Sequence, residues 1–211
     1  MNALIVSGGN APSEKLLKKY LSLCDFVIGA DKGNECLIKY NVKPDLSLGD
    51  FDSINKEVLD TIYSDNIEVL KFPPEKDYTD TEIAIMEALK RGAEKIYLLG
   101  GTGTRVDHTL GNIGLILTTK KKGAELILAD DNNEFYLAHN NMELKGEYGE
   151  NISFHALSDS VKNFKIQGAK YNLDGYDMNL LDPRAICNEF IETPIKISFD
   201  SGELLIIHSI D

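Results

Sequence analysis

The feature that most constrains the fold is the alternation of short apolar runs with helical patterns over the first two thirds of the chain. Six runs are typical of buried strands: ALIVS, DFVIGA, DLSLGD, IEVLKF, KIYLLG and AELILA. Between the last two, apolar residues recur at helical spacing at Val106, Leu110, Ile113 and Leu117, so we expect that face to pack on a sheet. The alternation predicts an α/β domain with a largely parallel sheet.

The pattern changes after about residue 138. Short strand-like runs follow, namely NISFHAL, VKNFKIQ, AKYNL, IKISF and ELLIIHS, and they are separated by Gly, Asp, Asn and Pro. No convincing amphipathic helix lies among them, which is typical of a small all-β domain. We therefore predict an α/β domain over 1–138 and a β domain over 139–211.

The charge and the cysteines exclude several classes of protein. The 22 Lys and Arg against 34 Asp and Glu give a formal net charge of −12, so no positive field attracts nucleic acid. No apolar run reaches the roughly 18–20 residues of a membrane span, and the first residues lack the basic start of a signal peptide. Three cysteines without a CxxC pair favour neither disulfides nor a zinc site, and we expect a cytoplasmic protein.

Acidic side chains follow the predicted strands of the first domain in three clusters, and a fourth segment adds a glycine-rich turn. The residues are Asp31 in GADKG, Asp50 and Asp52 in LGDFDS, Asp77 and Asp80 in EKDYTDTE, and Arg105, Asp107, His108 and Asn112 in GGTGTRVDHTLGN. Ligands of open parallel sheets bind outside the carboxyl ends of the strands. Their positions make these residues candidates for a site.

The GDFDS segment has two interpretations. Alternate residues of an extended chain point the same way, so Asp50 and Asp52 can direct two carboxylates at one Mg²⁺, a hard cation that prefers oxygen ligands. Alternatively, the segment is an Asx-type turn, with Ser53 as the N-cap of the next helix.

The EKDYTDTE segment also has two interpretations. Thr79 and Glu82 match a capping box at a helix start, and Asp80 in the first turn complements the helix dipole. That explanation leaves Asp77 without a role, and the accumulated acids would repel one another unless a cation lay between them. A capped helix and a metal site both fit.

The turn GGTGTR follows the fifth predicted strand and is typical of a phosphate-binding loop at a helix N-terminus, although Gly100, Gly101 and Gly103 also fit a simple tight turn. It is not a Walker A loop, because no Gly-Lys-Ser/Thr follows. Arg105 suits either a phosphate or a salt bridge with a nearby acid. For His108 we favour a structural role or one that orients a neighbour.

Taken in order, VSGGNAP, GADKG, KPDLSLGDFDSI, KDYTDTEIAI and GGTGTRVDHTLGN resemble the thiamine pyrophosphokinase family, and GAKYNL and CNEF resemble its β domain. The resemblance implies a Rossmann-like domain followed by a β-sandwich. It implies transfer of pyrophosphate from Mg-ATP to the hydroxyethyl group of thiamine, giving thiamine diphosphate and AMP. It further implies a homodimer whose active sites are shared between subunits.

The resemblance also implies roles for individual residues. Asp50, Asp52 and Asp80 are the expected Mg²⁺ ligands, with Asp31 and Asp77 around the metal and phosphates. The implied catalytic set is Asp50, Asp52, Asp77, Asp80, Arg105 and Asp107. Asp107 and Asp80 are both candidates to accept the alcohol proton, and the sequence assigns neither.

The remaining implied residues bind substrates. Thr79, Arg105, Gly101 and Gly103 hold the triphosphate. The nucleotide side is lined by Asp107, His108 and Asn112, and Asn188 belongs to the thiamine pocket of the β domain.

The chain departs from the family pattern at three positions. Lys32 and Thr104 each stand where a glycine is usual, and Cys187 stands before Asn188 where serine is usual. Lys32 is either an extra phosphate donor or a change in the loop, and Thr104 restricts the backbone of the glycine turn. Two other functions remain open: a metal-dependent phosphoesterase of a small phosphorylated metabolite, and a non-catalytic nucleotide-binding module.

Overall fold

The structure is a computed structural model that describes residues 1–52, 54–73, 75, 77–191 and 194–210. The chain forms two compact units, Met1–Asp131 and Asn132–Asp211. Among the described helices, none is long and apolar enough to span a lipid bilayer.

The first unit contains the predicted parallel sheet, and all six apolar runs form strands. They are β1 (Asn2–Val6), β2 (Phe26–Ala30), β3 (Leu46–Gly49), β4 (Glu68–Lys71), β5 (Lys95–Leu99) and β6 (Glu125–Ala129). Their order is β6-β5-β1-β2-β3-β4, and all neighbours are parallel. Five of the strands are almost wholly buried, whereas the edge strand β4 is partly exposed, as expected for strands between helices.

Five helices connect these strands. They are α1 (Glu14–Leu21), α2 (Gly33–Lys39), α3 (Lys56–Ser64), α4 (Asp80–Lys90) and α5 (Val106–Lys121). Side-chain oxygens of Ser13, Asn55 and Thr79 cap α1, α3 and α4 by accepting from backbone N–H groups two or three residues further on. These caps satisfy donors that have no partner within the helix, so local sequence defines where the helices begin.

The predicted packing face of α5 is wrong in its first turns. Val106 and Leu110 are 66% and 58% exposed. The buried residues of the helix are instead Asn112, Ile116 and Thr119. Two of these three are polar, so the apolar periodicity did not mark the buried face.

The second unit consists of two antiparallel sheets. Its strands are β7 (Asn133–Leu137), β8 (Met142–Leu144), β9 (Asn151–Ala156), β10 (Ser160–Gln167), β11 (Leu173–Asn179), β12 (Asn188–Glu189), β13 (Ile195–Ser198) and β14 (Leu204–Ser209), with a 3₁₀ helix at Pro183–Ala185. One sheet has the order β12-β9-β14-β7 and the other β11-β10-β13-β8. The fold class predicted from the sequence is therefore confirmed.

The second unit has strands that the sequence patterns did not predict, because β7, β8 and β12 correspond to none of the five expected runs. The compact units divide after Asp131, and β7 pairs with β14 inside the second unit. The run AKYNL is mostly a turn, and the strand beside β10 is β11 (Leu173–Asn179), whose polar sequence carries a weak strand signal.

The two sheets of the second unit share one hydrophobic core. Phe154 from β9 and Phe164 from β10 are both fully buried, and their ring centroids lie 5.4 Å apart at an interplanar angle of 58°. Such a tilted pair contributes beyond the area that it buries. Large aromatic side chains thus join the sheets.

We expect Phe154→Ala to lower the free energy of unfolding by about 3–5 kcal/mol, because the substitution leaves a cavity between the sheets. Urea denaturation followed by circular dichroism measures the loss. The matched control is Tyr148→Ala at an aromatic residue that is 86% exposed, where the change should stay within about 0.5 kcal/mol. Equal losses in the two variants would contradict this account of the core.

Candidate active site

The candidate site lies where the order of the parallel strands reverses. β1 pairs with β2 on one side and with β5 on the other, and the chain returns to β5 only after it has formed β4. The loops that leave β1 and β5 therefore diverge from neighbouring strand ends, which is where open α/β sheets bind ligands. These two loops carry SGGN and GGTGT.

Backbone hydrogen bonds hold these two loops together beyond the strands. Ser7 donates to Leu99, Gly9 to Gly100 and Asn10 to Thr102, each over 2.8 Å between N and O. A Cβ at position 9 would lie 2.2 Å from the carbonyl oxygen of Thr102. Gly100 has φ +66°, and a Cβ there would lie 2.3 Å from the carbonyl oxygen of Ser7. Both positions therefore require glycine.

An open cleft of about 500 Å³ lies along these loops. It brings together nine of the residues predicted from the sequence: Asp31, Asp50, Thr79, Asp80, Gly101, Gly103, Arg105, His108 and Asn112. Three carboxylates thus share a cleft with a glycine turn, an arginine and a histidine.

Five predicted residues are not in the lining of that cleft: Lys32, Asp52, Asp77, Asp107 and Asn188. Lys32 is an exposed residue at the N-cap of α2, and Asp52 and Asp77 are exposed on their loops. Asp107 lies in the first turn of α5, and Asn188 belongs to the second unit.

The GDFDS segment is a turn rather than an extended strand. β3 ends at Gly49, and the buried Phe51 has φ +63°, a left-handed conformation that costs about 1–3 kcal/mol for such a residue. The backbone N–H of Asp52 donates to Oδ1 of Asp50 over 2.9 Å, as in an Asx turn. The segment therefore has the backbone of the Asx-turn interpretation, and Asp50 lines the cleft whereas Asp52 does not.

The loop after this turn is fixed by two further bonds. Asn55 caps α3 by accepting from the N–H of Glu57, and its own N–H donates to Oε1 of Glu35 over 2.8 Å. Ser53, the N-cap expected from the sequence, lies outside the described residues. Glu35 of α2 thus fixes the N-cap residue of α3.

The start of α4 combines both interpretations of the sequence. Oγ1 of Thr79 accepts from the N–H of Glu82 over 3.2 Å, which forms the predicted cap. Thr79 and Asp80 also line the cleft, so the capped turn presents a carboxylate to it. Helix capping and a place in the site are therefore compatible.

The donor set suits a hard cation only in part. Among the described residues, no group of three or more His, Cys, Asp or Glu side chains is close enough to hold a metal by itself. The cleft nevertheless contains the carboxylates of Asp31, Asp50 and Asp80. Mg²⁺ is usually held by one or two carboxylates together with waters and substrate phosphates, so an incomplete oxygen set fits it.

The opposite wall of the cleft is the glycine turn and the first turn of α5. Nδ2 of the buried Asn112 donates to the carbonyl oxygen of Gly101 over 2.6 Å, and Thr102 donates to Asp130 over 2.9 Å. Thr104 is exposed and does not have a positive φ, so a residue larger than glycine fits this backbone without strain. The glycine turn is therefore bonded both to α5 and to the residue that follows β6.

The N-terminus of α5 can receive an anion. Arg105 occupies the N-cap and makes no capping hydrogen bond through its side chain, so the first N–H groups of this 16-residue helix lack that partner. The N–H of His108 bonds to the carboxylate of Asp107, and the other N–H groups of the first turn, together with the helix dipole, favour negative charge. Arg105 and His108 line the cleft beside them.

Arg105 forms an exposed ion pair with Asp107. Its Nη2 lies 2.6 Å from Oδ2 of Asp107, and Nε donates to Oδ1 over 3.3 Å. The guanidinium lowers the pKa of Asp107, and the N–H of His108 contributes in the same direction. The pair is the salt bridge considered from the sequence, and it leaves Asp107 a weak base.

Asn188 has a different environment in the second unit. Its buried side chain accepts from the N–H groups of Tyr171 and Glu189 and donates to the carbonyl oxygen of Tyr171 over 2.7 Å. Cys187 is exposed with φ +53°, and its N–H donates to Oγ of Ser153. The buried Asn188 therefore fixes the backbone of the exposed Tyr171.

Sequence reasoning missed several lining residues, namely Ser7, Gly8, Gly9, Asn10, Tyr78, Thr81 and Thr102. The segment SGGN follows β1 as the acidic clusters follow their own strands. The rule that ligands bind at strand ends would have identified it, but that segment carries no charged side chain.

Two family models match this chain. Residues 17–128 match the model described as "Thiamin pyrophosphokinase, catalytic domain". Residues 139–204 match the model described as "Thiamin pyrophosphokinase, vitamin B1 binding domain". The two matches lie in the first and the second compact unit, respectively.

Individual proteins resemble the whole chain. Thiamine pyrophosphokinase of Bacillus subtilis is 33% identical over 214 residues, with 98% of each chain covered. The crystal structure of the Bacillus subtilis protein superposes with a TM-score of 0.86 at 31% identity, covering 100% of both chains. That of the Geobacillus thermodenitrificans thiamin pyrophosphokinase gives 0.83 at 30% identity, covering 100% of this chain and 98% of the other.

We expect Arg105→Gln to raise the pKa of Asp107 toward its ordinary value of 3.8, because the largest cause of the lowered value is the hydrogen bond from Arg105. A carboxyl NMR titration measures it. Since the pKa is lowered in the folded state, the contribution of the pair to stability is present above pH 3.8 and disappears as the pH falls through the lowered value.

Asp177 is the internal control for this titration. Its pKa is also lowered, by hydrogen bonds from Asn163 and Lys162 in the second unit, and it should not respond to the substitution. An unchanged pKa at Asp107 in the Arg105→Gln protein would contradict the assigned ion pair.

Proposed function

The chain belongs to the thiamin pyrophosphokinase family and transfers pyrophosphate from ATP to thiamine, giving thiamine diphosphate and AMP; we propose that the cleft of the first unit binds ATP with Mg²⁺. The family assigned from the sequence motifs is thereby confirmed. One observation carries the proposal: Asp31, Asp50 and Asp80 share the cleft with a glycine turn and a helix N-terminus. A cation site thus adjoins an anion site.

The polyphosphate would lie against the glycine turn and α5. Backbone N–H groups of the turn and of the first helical turn supply donors that need no reorganisation during the reaction. Arg105 would exchange Asp107 for a phosphate oxygen, since a guanidinium binds either group through two N–H donors. Thr79 and His108 border the same space and complete this wall.

We assign Mg²⁺ to Asp50 and Asp80, with Asp31 beside them, because these carboxylates line the cleft. The family resemblance keeps Asp52 and Asp77 as candidates, although they do not line it. When bound, Mg²⁺ would neutralise phosphate charge and orient the polyphosphate.

In the reaction, the alcohol oxygen of thiamine attacks the β-phosphorus while the bond to the departing AMP breaks. Charge grows on phosphate oxygens, and Arg105 with the backbone donors stabilises it in place. Arg105 lowers the pKa of Asp107 while the two are paired, and this lowering ends once Arg105 has moved to a phosphate, so Asp107 and Asp80 both stay candidates to accept the alcohol proton. The chain therefore contributes mainly positioning and charge stabilisation.

The second unit would bind thiamine. The matched "vitamin B1 binding domain" model supports this assignment, which covers Asn188. Since the polar atoms of Asn188 already bond to Tyr171 and Glu189, we propose that it acts by shaping the Tyr171 segment rather than by contacting thiamine through free polar atoms.

We further propose that the protein works as a cytoplasmic homodimer with shared active sites. The exposed apolar side chains of Val106 and Leu110, next to Arg105 and His108 at the cleft, offer a surface of the kind buried in subunit contacts. The three cysteines are free thiols, as expected in a reducing compartment.

Incubation of the purified protein with Mg-ATP and thiamine should yield thiamine diphosphate and AMP in equal amounts, identified by mass spectrometry. Parallel samples without thiamine should yield no AMP. Formation of ADP would contradict pyrophosphate transfer. Release of phosphate without use of thiamine would indicate a phosphoesterase, and binding of nucleotide without any product would indicate a non-catalytic module.

Asp50→Asn should lower kcat on the order of 10²-fold, the effect of removing one group that stabilises transition-state charge. The new amide oxygen can still accept from the N–H of Asp52, so the turn and the melting temperature should be retained. Initial rates at saturating Mg²⁺ measure kcat. Asp52→Asn is the matched control and should lose less, while equal losses in both variants would contradict our assignment of the metal.

A further inference from the structure

A buried pair of hydroxyl groups connects two walls of the cleft. Oγ of Ser7 and Oγ1 of Thr81 lie 2.6 Å apart, and both residues are more than nine-tenths buried. Ser7 directly follows β1, whereas Thr81 is the second residue of α4. The bond therefore joins parts of the chain that are 74 residues apart.

Backbone hydrogen bonds hold Ser7 to the wall of the cleft that the glycine turn forms. Its N–H donates to Leu99 over 2.8 Å, and the next two backbone bonds tie the SGGN segment to the turn at Gly100 and Thr102. The missing side chain at Gly100 gives the carbonyl oxygen of Ser7 its space. The position of the Ser7 hydroxyl is therefore fixed by the same bonds that shape the glycine turn.

Thr81 lies on the wall of the cleft that carries Asp80. It follows Asp80 directly in the first turn of α4, and the hydroxyl of the preceding Thr79 is occupied as the helix cap. The apolar residues that bury the helix, Ile83, Ala84, Ile85 and Ala88, lie further along it. Thr81 thus gives the turn that carries Asp80 a direct bond to the end of β1.

We propose that the Ser7–Thr81 pair is a positioning device that sets the Asp80 carboxylate at a fixed separation from the glycine turn. A short hydrogen bond is directional, and loss of one buried partner leaves the other unsatisfied, so each hydroxyl specifies the place of the other. The inference rests on the proposed function, since it assumes that Mg-ATP spans the two walls. Both residues are positioning residues in this scheme.

The test compares Thr81→Val, Ser7→Ala, their combination and the conservative Thr81→Ser. Isothermal titration with Mg²⁺ and α,β-methylene-ATP, whose α–β linkage resists cleavage, measures nucleotide binding without turnover. We expect each hydroxyl deletion to raise the Kd of the analogue about tenfold and to raise KM for Mg-ATP by a similar factor. KM for thiamine should change less than twofold. The double variant should bind the analogue no more weakly than the weaker-binding single variant. The Kd of Thr81→Ser should lie within about twofold of the wild-type Kd.

Thr119→Val is the matched control. Thr119 is a fully buried threonine of α5 away from the cleft, and its hydroxyl has no hydrogen-bond partner among the described residues, so binding should be unchanged. A lower melting temperature with unaltered Kd in Thr81→Val would overturn the positioning role. So would equal weakening in Thr119→Val, or additive losses in the double variant.

The wild-type chain separates this inference from the function on which it rests. A wild-type protein that fails to bind the analogue would contradict the proposed function and the positioning role together. Binding by the wild type and equally tight binding by both single variants would contradict the positioning role alone.

Discussion

The continuation of the β1–β5 pairing beyond both strands is the constraint on which the cleft depends. Parallel strands normally separate at a reversal in strand order, and here the two loops stay hydrogen-bonded through Gly9, Asn10 and Thr102 before they part. The contact is possible because positions 9 and 100 lack a Cβ. This pairing fixes the positions of the glycine turn, the start of α5 and the hydroxyl of Ser7.

The fold was predictable where burial imposed a simple pattern. Strands of a parallel sheet are covered on both faces, so their apolar runs stood out, and all six were identified. β11 was missed because polar residues form a strand there through pairing with β10. The apolar residues Val106 and Leu110 wrongly predicted the buried face of α5, since both are exposed. The polar Asn112 is buried instead, because its side chain bonds to the glycine turn.

The site was predictable to the level of segments and less so to the level of side chains. Strand ends gather residues that are distant in sequence, and that rule found Asp31, Asp50 and Asp80. The strand-end rule does not predict which side chains of a loop enter the cleft. Phe51 has a left-handed conformation that turns the chain, and Asp52 after it does not line the cleft. Local backbone conformation of that kind follows from tertiary packing and leaves no periodic signal.

The glycine pattern of the cleft also tells an engineer where the loops can be varied. Lys32 and Thr104 are both exposed, and their backbone conformations are open to ordinary residues. Positions 9 and 100 are closed to any side chain by neighbouring carbonyl oxygens. A library meant to alter the surface of the cleft should therefore diversify position 104, which lines it, and keep positions 9 and 100 as glycine, because a side chain at either glycine would collide with the backbone that joins the two loops.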